Sequence, residues 1–99
     1  MMEHVLYILT SKDNGPIYIG ETSDLLFRMT QHRMGRVSND ALRIDRLVYT
    51  ESYDCPFKAR SRAKALRSAS RQWVEALISG QNPTWQNLMA APIQNAIAA

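Results

Sequence analysis

Two tyrosines, Tyr7 in L-Y-I-L and Tyr18 in I-Y-I-G-E-T, are followed at a distance of ten residues by Arg28 and one helical turn later by His32. Two hydroxyls, a guanidinium and an imidazole so close together are groups that phosphodiester chemistry uses. A phenol can orient or deprotonate a hydroxyl or a water, and an arginine can take up the charge that develops on the non-bridging oxygens. A tyrosine with an ordinary pKa near 10 is a poor base, so that role needs a cation beside the ring. Arg28 supplies one, and its spacing from His32 puts both on one face of a helix. Taken singly, each residue also has a plain reading. Tyrosine suits a half-buried strand, and arginine and histidine suit a solvated helix face.

The elements that must position these residues follow from the apolar pattern. V-L-Y-I-L at 5–9 is rich in strand formers and ends at an Asn14-Gly15 turn signal; Pro16 then opens I-Y-I-G, so the pair reads as an antiparallel hairpin. Its pairing can bring Tyr7 and Tyr18 onto one face. Thr22, Ser23 or Asp24 can cap a helix from Leu25 that turns Leu25, Leu26 and Met29 inward. Residues 34–41 read as a loop, and L-V-Y-T-E at 47–51 as a third strand, followed by a turn over 53–56. Over 57–79 the period changes: Ala59, Ala63, Leu66, Ser70, Trp73 and Leu77 form the expected inward face of helical structure, which Ser68-Ala69-Ser70 can divide. Asn82-Pro83 suggests a short last helix carrying Trp85 and Leu88. The expected fold is α+β, with a small, mainly antiparallel three-stranded sheet flanked by helices in the order β-β-α-β-α-α. One domain over 1–91 and a short Ala-rich tail over 92–99 complete the organisation.

With 99 residues and 45% hydrophobic content there is material for one modest core. The single Cys55 cannot close an intrachain disulfide, matches no metal-ligand spacing and reads as a small, partly buried apolar residue. No apolar run approaches the length of about 20 residues that spans a bilayer, and the N-terminal residues do not form a signal peptide, so a cytoplasmic location is expected, with association to the nucleoid open.

The charge of +3 favours polyanions only where it is clustered. Between residues 58 and 71 six cations occur with no acid; Arg60, Lys64, Arg67 and Arg71 recur at four, three and four, as a stripe on one side of a continuous helix would. Such a stripe holds phosphates without reading bases. Arg33, Arg36, Arg43 and Arg46 extend the positive field through the central loop.

V-L-Y-I-L, I-Y-I-G-E-T-S-D-L-L-F-R-M-T-Q-H, L-V-Y-T-E, A-R-S-R-A-K-A-L-R and N-P-T-W, in that order over residues 4–88, resemble the GIY-YIG nuclease superfamily, in particular its small single-domain bacterial members. The first signature here reads V-L-Y. The resemblance implies DNA cleavage assisted by one divalent metal such as Mg²⁺. It also matches Tyr7 and Tyr18 to the signature tyrosines, Gly20 to the signature glycine, Arg28 to the active-site arginine, His32 to a histidine often found one turn later, and Asn82 to the asparagine of a late N-P-x-W motif. Gly20 and Asn82 also have local readings, as a shaped turn and a turn starter.

One position departs from the family. Where members carry Arg-Glu, this chain has Arg62-Ala63, and the missing glutamate is the implied metal ligand. Glu21 and Glu51 are weak substitutes, since a ligand moved to another element needs new geometry. The expected function is therefore a GIY-YIG-type DNA endonuclease or its catalytically impaired form. A noncatalytic, structure-selective DNA-binding protein and a protein-interaction module are the alternatives, and a protein partner or homo-oligomer stays open.

Overall fold

β1 (His4–Thr10) is the centre of the sheet, with β2 (Ile17–Thr22) and β3 (Arg46–Tyr53) antiparallel on either side of it in the order β2-β1-β3. The computed structural model describes residues 3–11, 15–33 and 46–89, and of His32 and Arg33 the backbone alone. Covered on both faces, β1 is buried from Leu6 to Thr10, which is why its sequence is a continuous apolar run rather than an alternating one. Alternation still sorts its residues. Leu6 and Ile8 belong to one buried cluster with Ile19, Val48, Ala63, Leu66, Val74 and Ile78, whereas Tyr7 and Leu9 belong to a second with Met29 and Leu47.

The helices α1 (Leu25–Arg33), α2 (Pro56–Ser68) and α3 (Arg71–Gln81) divide between these two clusters, α1 with the tyrosine face and α2 and α3 with the other. Asp24 caps α1, its Oδ1 accepting from Phe27 N at 3.1 Å. Met29 is buried and Leu25 half-buried as expected; Leu26 instead faces solvent at 64% exposure. Pro56 starts α2 in the first-turn position where its missing N–H costs nothing, after the half-buried Cys55.

The helical stretch divides at Ala69 and Ser70, both in extended backbone, and Ser70 Oγ accepts from Trp73 N at 3.1 Å to start α3. The break resets the helical phase. Ala59, Ala63 and Leu66 point inward on α2 as expected; on α3 Val74 and Ile78 are the buried residues, Leu77 packs half-buried against the same cluster, and Trp73 turns outward at 49% exposure. The expected helix at Trp85 and Leu88 does not form. Trp85 takes a left-handed backbone (φ 53) that a helix cannot propagate, and the segment runs back along β3, with Leu88 N donating to Leu47 O at 2.7 Å. Together with the Gln81 amide, which meets both backbone groups of Thr50, this closes part of the β3 edge. The expected loop over 34–41 and the tail over 92–99 lie outside the described residues.

Candidate functional site

Register places Tyr7 opposite Gly20 and Leu9 opposite Tyr18, so the two tyrosines are diagonal neighbours on one face, with ring centroids 6.1 Å apart. Gly20 makes this possible. A Cβ there would lie 2.6 Å from Tyr7 Oη and 3.0 Å from Tyr18 Cε2, closer than side chains pack, so the glycine is the space that the Tyr7 ring fills. Burial, then the neighbouring Tyr18, push the Tyr7 phenol well above its ordinary pKa; the charge of Arg28, projected from α1, pulls the other way and is outweighed. At neutral pH Tyr7 is therefore a phenol that donates a hydrogen bond, not a phenolate that accepts a proton. Tyr7 and Tyr18 thus share this face, the charge of Arg28 acts on Tyr7, and the backbone of His32 lies one turn beyond Arg28 on α1.

The opposite face holds the position where the family carries its glutamate. Ala63 is 0% exposed, in the cluster with Leu6, Ile8 and Ile19, and offers no oxygen. Neither substitute stands ready in its place. Glu51 lies inside β3, where both carboxylate oxygens are engaged: Tyr49 Oη donates at 2.5 Å, Tyr53 Oη at 2.6 Å, and Arg62 binds bidentately, Nε to Oε1 at 3.1 Å and Nη2 to Oε2 at 3.1 Å. Burial alone would raise this carboxyl, but the hydrogen bonds from Arg62, Tyr49 and Tyr53 outweigh it and hold the group below its ordinary pKa. Burial and the Glu51 hydrogen bond in turn push Tyr49 up to about 12. Glu21 pairs with His4 and lies 3.9 Å from Arg60. Among the described residues no three His, Cys, Asp or Glu side chains gather as a metal site. The described donors do not fit the single-carboxylate metal centre that the family implies.

The basic stripe survives the break between α2 and α3, but much of it is tied to β2. Arg67 donates from Nε and Nη2 to Ile19 O at 3.2 and 2.9 Å, and Arg71 donates to Gly15 O at 2.5 Å and to Glu75 at 2.7 Å. Arg60 lies over the exposed ring of Phe57 at 5.9 Å, and Lys64 faces solvent. The acids missing between residues 58 and 71 come in part from the sheet, where Glu21 and Glu51 meet Arg60 and Arg62, and in part from the next turn of α3, where Glu75 meets Arg71. A cleft of about 580 Å³ separates the ridge from the β2 edge, lined by Tyr18, Leu66, Arg67, Ala69, Arg71 and Val74 among others. Arg46 reaches Trp85 O at 3.5 Å; Arg36 and Arg43 lie outside the described residues.

Asn82 is buried away from the tyrosines and works on the backbone. Its Nδ2 donates to Val48 O at 3.1 Å and Gln86 O at 2.9 Å, and its Oδ1 accepts from Gln86 N at 3.1 Å. Val48 marks the point where β3 slips register against β1, between Ile8 and Leu9, and Asn82 satisfies the carbonyl left over there. Sequence reasoning missed the Glu51–Arg62 lock. The i, i+2, i+4 spacing of Tyr49, Glu51 and Tyr53 was its one readable signal, since it places two phenols beside a carboxylate on one strand face.

A three-stranded antiparallel sheet with this helix order, two tyrosines paired over a strand glycine and an arginine from the following helix define a small α+β domain of the nuclease type. The sequence profile of the GIY-YIG catalytic domain matches residues 3–74. The chain belongs to that family, whose nuclease-type domains act on DNA. Its structure is similar to the solution NMR structure of the UPF0213 protein BH0048 from Bacillus halodurans, at 27% identity and a TM-score of 0.56, covering 87% of this chain and 93% of that one. No curated protein matches the chain. Among the described residues no helix is long and apolar enough to cross a membrane.

Proposed function

We propose that this chain is a GIY-YIG-type protein that holds DNA on its tyrosine face and basic ridge and is impaired in metal-assisted hydrolysis. The observation that carries this reading is the buried, oxygen-free Ala63, while Tyr7, Tyr18 and Arg28 remain assembled across the sheet. A carboxylate-held divalent ion supplies the electrophile in such a site, and the donors here do not provide for one. Phosphate binding needs only what is left. Arg28 neutralises a non-bridging oxygen, Tyr18 borders both this face and the cleft, the buried Tyr7 ring packs beside Tyr18 and positions it, and His32 adds a donor one turn along α1. Asn82 is a positioning residue that fixes β3. Arg60, Lys64, Arg67 and Arg71, with Arg33 and Arg36, contact further phosphates, so that form and branching of the DNA are recognised rather than sequence. This reading goes with a cytoplasmic location.

Anisotropy of a labelled duplex, titrated at rising salt, tests the binding half of this reading. Affinity should fall steeply, with a slope of about −0.9 per phosphate neutralised, and Arg28→Ala and Lys64→Ala should each flatten it by roughly one contact. A salt-independent affinity, or none, would overturn it.

A further inference from the structure

Trp73 is the residue whose placement the proposed function leaves unexplained. Its indole is 49% exposed, yet one face of the ring is held and its backbone is anchored. The Arg62 guanidinium lies over its ring at 5.5 Å, and that guanidinium is itself held by both oxygens of Glu51, which Tyr49 and Tyr53 hold in turn. Ser70 accepts the Trp73 backbone N–H. A half-buried four-residue lock thus ends on an aromatic ring presented to solvent, which is how a stacking platform is pre-organised.

Beside the ring lies a groove of about 370 Å³, lined by Arg62, Ala65, Leu66, Ala69, Ser70 and Trp73. Its size falls in the range of small-molecule sites, and small side chains form its floor. Leu66 and Ala69 also line the cleft that holds Arg67 and Arg71, so the two depressions meet at the break between α2 and α3. Arg67 and Arg71 engage the protein through Nε and Nη2, and each Nη1 carries two more N–H groups.

We propose that the α2–α3 junction is a second nucleic-acid site, in which an unpaired nucleobase stacks on Trp73 while the phosphates of its strand lie on Arg67 and Arg71. This deepens the DNA-binding reading, on which it rests, by naming single-stranded segments such as flaps as the preferred substrate part. A base offers a π-face to the indole whatever its identity, so the site is tolerant of sequence.

The test compares a short labelled oligothymidylate with a duplex of equal length, read by anisotropy and by tryptophan fluorescence. Oligothymidylate should quench the parent protein, since Trp85 is only 7% exposed and Trp73 dominates the accessible emission. Trp73→Ala should weaken oligothymidylate binding about tenfold, the loss expected for one stacked base, with duplex affinity unchanged. Trp73→Phe, which keeps a π-face, should restore most of it, and circular dichroism confirms that each variant is folded. Equal affinity of Trp73→Ala for the single strand, or an equal loss for both forms, would overturn the proposal, as would a parent that binds duplex but no single strand. Failure of the parent to bind either form would overturn the DNA-binding reading as well and would assign Trp73 to a protein partner.

Discussion

Replacing Ala63 by glutamate restores the family's residue type and, in this chain, should be costly to the fold. The site is 0% exposed in the apolar cluster that includes Leu6, Ile8 and Ile19, so the new carboxyl has neither water nor a prepared partner. Burial of this kind raises a carboxyl by up to about 3–5 pK units, and each unit is worth about 1.4 kcal/mol. At pH 7 the group can stay protonated rather than ionise, which limits the electrostatic cost to about 4 kcal/mol. Fitting the longer side chain into a packed cluster adds about 1–3 kcal/mol. Against a total stability of about 5–15 kcal/mol, Ala63→Glu sits close to unfolding at neutral pH. The sign with pH is fixed: a raised folded pKa makes the difference from the parent small below the ordinary carboxyl value and larger as pH rises. Urea unfolding of parent and variant, followed by tryptophan fluorescence at pH 4 and pH 7, reads it directly. A variant as stable as the parent at both pH values would refute the placement of position 63, and one that also cut DNA would put that position at the tyrosine face.

Three further substitutions probe the frame around the site. Glu51→Gln removes the charge that Arg62, Tyr49 and Tyr53 share and should cost about 1–3 kcal/mol in denaturant melts. Because the Glu51 carboxyl is held below its ordinary pKa, its contribution is present above that value and lost as pH falls through the folded one, so the acid limb of the parent's stability profile should be shallower in Glu51→Gln; an unchanged limb would remove Glu51 from the lock. Gly20→Ala forces a methyl to within 2.6 Å of Tyr7 Oη and should destabilise by about 1–3 kcal/mol while loosening DNA binding, measured by melting and anisotropy; a neutral effect would mean that the Tyr7 ring is not held there. Asn82→Ala leaves the Val48 carbonyl and Gln86 backbone unpartnered and should cost about 2–4 kcal/mol without changing the salt dependence of DNA binding.

The shared face of Tyr7 and Tyr18 was legible because both lie on strands of one hairpin, whereas the role of Gly20 was not, since its position opposite Tyr7 depends on a register that the sequence did not fix. Arg28 followed from one helical turn of spacing. What the sequence could not convey is the effect of a two-residue break. Ala69 and Ser70 leave the helix, the phase resets, and Trp73, assigned inward on an unbroken stripe, turns to solvent. The same limit applies to charge. No acid stands beside Arg60 or Arg62 along the chain, yet the sheet carries Glu21 and Glu51 to them; the Arg71–Glu75 pair, by contrast, lies one helical turn apart in sequence. The short helix expected at Trp85 failed because backbone hydrogen bonds to Leu47 and Asn82 outweigh a weak local pattern.

The most direct measurement incubates the protein with branched, flapped, single-stranded and duplex DNA in Mg²⁺ or Mn²⁺ and reads retention and strand scission in the same samples. Retention that weakens with salt, with no scission above background, is the predicted result. Scission by the parent that is lost in Tyr7→Phe or Arg28→Ala would contradict it, because an active centre would then exist without a carboxylate at position 63.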